Sequence, residues 1–129
     1  FELLHAKVAI LGFQGVDGFV LRVIVSTGNW TRQTLEESLD LAWRVDVPSK
    51  DTDAKGVRQS RTDLAGAWEF MLSLQQSFDL RPLEHTAGKD NESADAAVKF
   101  AAWIGQIAKR HKGYRPRFFD SRERSLFAQ

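Results

Sequence analysis

At 129 residues, with 43% hydrophobic and 27% charged side chains and 18 Lys and Arg set against 17 Asp and Glu, the chain has the composition of one globular domain. No apolar run reaches the ~20 residues that a membrane-spanning helix needs, and no basic segment with an apolar stretch and cleavage site opens the sequence, so no membrane association is expected and the expected localisation is cytoplasmic or nuclear. The absence of cysteine excludes disulfides, thiolate zinc sites and cysteine nucleophiles.

The chain opens on Phe1 rather than Met and a strand-like run follows at once, the pattern expected of a piece of a larger protein. From His5 to Leu11 the residues alternate, with His5, Lys7, Ala9 and Leu11 on one side and Ala6, Val8 and Ile10 on the other. A Gly-rich segment from Phe13 to Gly18 predicts a turn, and Phe19 to Thr27 reads as a second strand, so the two runs form a hairpin. Gly28 and Asn29 interrupt the pattern. A third run, Ser38 to Val47, alternates Leu39, Leu41, Trp43 and Val45 against Asp40, Ala42, Arg44 and Asp46, and Pro48 ends it.

Residues 49–61 are polar and predict an exposed loop. Leu64, Ala67, Trp68, Met71, Leu72 and Phe78 then fall at helical spacing, with Ser60, Thr62 or Asp63 available as a cap. After a polar stretch at 81–92, a second helix is predicted from about Ser93 to Arg110, capped by Ser93 and ending near Gly113. It would bury Ala97, Phe100, Ala101, Ile104, Ile107 and Ala108. The expected fold class is α/β, a hairpin-led sheet with helices packed on it, in one domain over 1–129.

The balanced charge conceals an uneven distribution. Lys109, Arg110, Lys112, Arg115, Arg117, Arg122 and Arg124 crowd the C-terminal end against only Asp120 and Glu123, leaving acid in excess elsewhere. Such a stretch suits a phosphate backbone, although cations at a helix C-terminus are also favoured by the dipole alone, where His111 would cap the second helix.

The residues best suited to chemistry are His5, Lys7, Asn29 and Asp40. Residues two apart on a strand share a face, so His5 and Lys7 project together. A hairpin closing at 13–18 returns the chain near Asn29 to the neighbourhood of His5. Asp40 could accept a hydrogen bond from the second imidazole nitrogen and fix its tautomer. An imidazole, a cation and an amide donor suit phosphodiester chemistry: neutral imidazole attacks phosphorus and holds it covalently, while Lys7 and Asn29 stabilise the non-bridging oxygens. No metal and no cofactor are required.

The strings His5-Ala6-Lys7-Val8-Ala9-Ile10-Leu11 and Leu21-Arg22-Val23-Ile24-Val25-Ser26-Thr27-Gly28-Asn29-Trp30 resemble the His-x-Lys…Asn motif of the phospholipase D superfamily, most closely its tyrosyl-DNA phosphodiesterase branch. The wider superfamily carries an Asp where this chain has Gly12; that branch does not. The resemblance implies a phospholipase D-like lobe with a mixed β-sheet, a phosphohistidine mechanism with His5 as nucleophile, and DNA 3′-end processing. Trp30, just past the second strand, could stack on a base or on an aromatic leaving group or serve only in packing; it and Ser26 are the candidate substrate contacts, with nucleic acid as the expected partner. Asp40 falls where the family places a polar residue that supports the histidine. The family joins two such motifs in one active site, and neither His85 nor His111 has a Lys two positions on. The second half-site is therefore expected from a missing second lobe or from a homodimer partner, as in a homodimeric nuclease. The competing class is a non-catalytic nucleic-acid-binding or assembly domain that uses the basic end and Trp30.

Trp43, Trp68 and Trp103 lie on apolar faces and are expected in the core. Thr31 and Arg32 follow the motif but nothing selects them, and Asp51-Thr52-Asp53 lacks the Gly and Glu that complete a calcium loop.

Overall fold

The computed structural model describes residues 7–26, 31, 32, 36, 42–50, 55–76 and 91–117. Strands β1 (Val8–Gly15), β2 (Gly18–Ser26) and β3 (Ala42–Pro48) precede helices α1 (Lys55–Gln75) and α2 (Asn91–Ile107), giving a mixed α and β architecture. The strands form one sheet in the order β1-β2-β3. Both pairings are antiparallel, so the mixed sheet implied by the resemblance has no parallel pair among the described residues.

The hairpin closes on two residues, Val16 and Asp17, between the paired Gly15 and Gly18. β1 continues past Leu11 because Phe13 and Gln14 extend the ladder opposite Val20 and Phe19. Gly18 is required at the turn: its φ is 150°, and a Cβ there would stand 2.5 Å from Ser49 Oγ. That hydroxyl accepts a hydrogen bond from Phe19 N at 3.1 Å, tying the end of β3 to the start of β2.

Strand periodicity decides which face is buried. Leu21, Val23 and Val47 are wholly inaccessible, and Ile10, Phe19, Val25, Trp43 and Val45 pack against the same core. Each such aliphatic side chain contributes about 1.5–3 kcal/mol when fully buried. Leu64 and Ala67 of α1 and Ile104 and Ile107 of α2 complete the core from the helical layer. α2 lies close because Gly12 has no side chain; a Cβ there would be 3.1 Å from both Phe100 and Trp103. Trp103 stacks on Phe19 with centroids 4.6 Å apart, and Trp68 meets Phe100 edge-on at 6.3 Å.

Several local expectations are corrected. The stretch 49–61 is not all loop: α1 begins at Lys55, so Ser60, Thr62 and Asp63 are interior and cannot cap it. The hydroxyls of Ser60 and Thr62 donate instead to the carbonyls of Gly56 and Arg58 one turn back, at 3.0 and 2.9 Å. α2 begins at Asn91, which places Ser93 inside it, and ends at Ile107. Ala97 and Ala101 are exposed, as is Leu72.

The other face of the sheet carries an ion pair across β2 and β3. Arg22 Nε and Nη2 donate to the two carboxylate oxygens of Asp46 at 2.7 and 2.8 Å, and the guanidinium lies 5.1 Å from the Phe13 ring centroid. The hydrogen bonds from Arg22 hold the Asp46 carboxyl below its ordinary value of 3.8; burial opposes them less strongly, and the charges of Arg22 and then Arg44 add to the lowering. A lowered folded-state value means that the pair's contribution is complete above pH 3.8 and disappears as pH falls through that lowered value. Acid unfolding of Asp46→Asn should therefore converge on that of the wild type in strong acid; a stability gap independent of pH would contradict the linkage.

Candidate functional site

The hairpin register decides what meets at the end of the sheet remote from the turn. Val8 pairs with Val25, and one step further Ser26 N donates to Lys7 O at 3.0 Å. Ser26 is in turn opposite Ala42, the first residue of β3. Lys7, Ser26 and Ala42 thus form one row. Lys7 stands two residues after His5, Ser26 three before Asn29 and Ala42 two after Asp40 in the chain. Lys7 and Ser26 are half-buried. His5, Asn29, Trp30 and Asp40 lie outside the described residues, as does His85. Arg32 is exposed and donates to Glu36 at 2.9 Å.

The row behind it is Val25 and Trp43, which share a register position. Trp43 is half-buried, and its ring lies 5.5 Å from the guanidinium carbon of Arg117. Arg117 reaches this place because the chain beyond α2 is fastened along α1. Arg110 makes a two-pronged pair with Glu69, its Nε donating at 3.0 Å. His111 N donates to Thr62 Oγ1 at 3.3 Å, and Gln59 Nε2 donates to the Arg115 carbonyl at 2.7 Å. Finally Arg117 donates from its backbone N to Asp63 Oδ1 at 2.8 Å, and from Nε and Nη2 to Asp63 Oδ2 at 2.9 and 2.7 Å. Asp63 and Thr62 are wholly inaccessible to solvent.

The basic stretch is therefore not a continuous strip of available charge. Arg110 and Arg117 are engaged by carboxylates, whereas Lys109, Lys112 and Arg115 are exposed. Nor does His111 cap α2: its backbone turns to α1, its ring meets Tyr114 edge-on at 6.4 Å, and its Nε2 is buried without a hydrogen-bond partner. The Asp63–Arg117 pair is the feature that the sequence did not disclose. An acid and a base so far apart in the chain follow no period, and only the polar character of both segments hinted at it.

Compared with protein-family models, curated proteins and solved structures, the chain finds no significant match. Among the described residues no helix is long and apolar enough to cross a membrane.

Proposed function

We propose that the chain is a phosphodiesterase lobe of the phospholipase D type that processes DNA 3′ ends through a phosphohistidine intermediate. The reading is supported above all by the row Lys7–Ser26–Ala42, which brings the chain segments leading to His5, Asn29 and Asp40 to the same end of one sheet. An imidazole nitrogen of His5 attacks phosphorus, and the bond to the leaving oxygen breaks as that oxygen takes a proton from a general acid. Lys7 and Asn29 bind the non-bridging oxygens, Asp40 orients the imidazole, and Ser26 and Trp30 contact the substrate. Water then attacks the phosphohistidine, releasing His5 and a 3′-phosphate end. The general acid comes from a second lobe or from a second copy of the chain.

The test uses the full-length protein and an oligonucleotide whose 3′ phosphate is esterified with tyrosine. Turnover quenched in alkali, where phosphohistidine survives, should leave the oligonucleotide on the peptide containing His5, and His5→Ala should abolish both adduct and product. Product formation without an adduct, or undiminished in His5→Ala, rejects the mechanism. An unmodified oligonucleotide and a phosphodiester lipid run in parallel identify the preferred substrate.

A further inference from the structure

β1 and β3 form the two edges of the sheet, and they are built differently. In the ladder with β2, Lys7 is hydrogen-bonded to Ser26, and the bonded positions alternate from there through Ala9, Leu11, Phe13 and Gly15. Val8, Ile10, Gly12 and Gln14 therefore turn their N–H and C=O groups outward, and no strand among the described residues pairs with them. The β3 edge is blunted by the exposed charges of Arg44 and Asp46 and by Pro48. The β1 edge has no such protection, carrying neither charge nor proline from Val8 to Gly15. Ile10 and Gly12 face the helical layer, so Leu11 and Phe13 stand on the opposite face, where they are 43% and 46% exposed.

We infer that this edge pairs with the same edge of a second copy of the chain, antiparallel about a two-fold axis at Leu11, joining the two sheets into one. The backbone groups alone would accept any strand; the match of β1 to itself selects a second copy. Only an axis at Leu11 pairs the four outward residues wholly among themselves, Val8 with Gln14 and Ile10 with Gly12 of the second copy, each pair exchanging both hydrogen bonds. On the open face the same register sets Leu11 against Leu11 and Phe13 against Ala9, withdrawing both exposed side chains from water. The ends also match in charge, since Lys7 of each copy comes beside the turn of the other, where Asp17 is 91% exposed and 3.7 Å from Lys50. The inference goes beyond the phosphodiester reading and does not depend on it. At the rise of a strand the two Lys7 residues lie about 27 Å apart, so this dimer does not bring two copies of the proposed site onto one phosphate.

Sedimentation equilibrium of the full-length protein over a concentration series should show a reversible dimer. Leu11→Lys, at an exposed position, sets two like charges against each other at the axis and should raise the dimer dissociation constant about tenfold or more. Register is read by cross-linking, since the chain has no cysteine of its own. Leu11→Cys should form an intermolecular disulfide on mild oxidation, located by peptide mapping, because directly opposed residues of a non-hydrogen-bonded pair lie about 4.5 Å apart at Cα. Phe13→Cys alone should not, its two positions being about 14 Å apart along the strands, whereas Phe13→Cys mixed with Ala9→Cys should. A wild type that stays monomeric overturns the inference, whether the edge is then left open or taken by a strand of a different protein. So does a dimer that survives Leu11→Lys undiminished, or one that cross-links as readily through Phe13→Cys alone. If Leu11→Lys does not fold, the wild-type sedimentation and the cysteine variants still decide the matter.

Discussion

Replacing Arg117 with Met is expected to lower the unfolding free energy by about 3 kcal/mol, because it strands the wholly buried Asp63 without a counter-charge. The mirror change should be milder. In Asp63→Asn no buried charge is stranded and the half-exposed guanidinium can turn to water, but the amide NH2 meets donors where the carboxylate accepted, so a loss of about 2 kcal/mol is expected. This asymmetry follows from burial rather than from bond count, since Arg117→Met leaves the backbone and Gln59 hydrogen bonds to Asp63 in place and is still the costlier change. Urea unfolding of the two single variants and of the double variant measures it. The double variant should be more stable than Arg117→Met alone, since removing the stranded charge relieves its cost. A larger loss for Asp63→Asn than for Arg117→Met would show that the carboxylate is not sequestered.

Lys7→Ala should lower turnover by about 10²–10³-fold while leaving the fold intact, the usual consequence of deleting one preorganised donor from a charged transition state. The contribution of Lys7 to the sheet at this row is made by its backbone carbonyl, which any residue supplies. Lys7→Arg should recover part of the rate, since charge is restored with a different geometry. Single-turnover kinetics of the full-length protein on a 3′-tyrosyl oligonucleotide distinguish a loss in the attack step from a loss in binding. Undiminished turnover in Lys7→Ala would remove the lysine from the site.

The sheet was legible because its period is short and its buried face nearly all β-branched or aromatic: Trp43, Val45 and Val47 alternate with the exposed Ala42, Arg44 and Asp46. The start of α1 was not. Arg58, Gln59, Ser60, Arg61, Thr62 and Asp63 show no apolar stripe, because the partner of this part of the helix is the polar chain at 110–117 rather than the hydrocarbon core. A helix face covered by polar contacts leaves no 3.6-residue rhythm of apolar side chains to reveal it. Ala97 and Ala101 misled for a related reason: alanine is a good helix former on either face and carries little information about burial. At the site, the His-x-Lys…Asn spacing was visible in the chain, and the hairpin that unites Lys7 with Ser26 could be anticipated from Gly15 to Gly18. The long-range clasp of Asp63 on Arg117 is a property of tertiary contact alone.

The register of the hairpin also governs the order in which the site assembles. A hairpin of this kind closes in roughly 1–10 μs, and with only Val16 and Asp17 in its loop the cheapest first contact is between Gly15 and Gly18. The ladder then zips away from the turn, through Ile10 and Val23 to Val8 and Val25, and reaches Lys7 and Ser26 last. The same end frays first when the ladder opens. On the phosphodiesterase reading, chemistry falls on the rungs that form last in the most local element of the fold, and an anion held between the two strands there would act as the final rivet of the zipper.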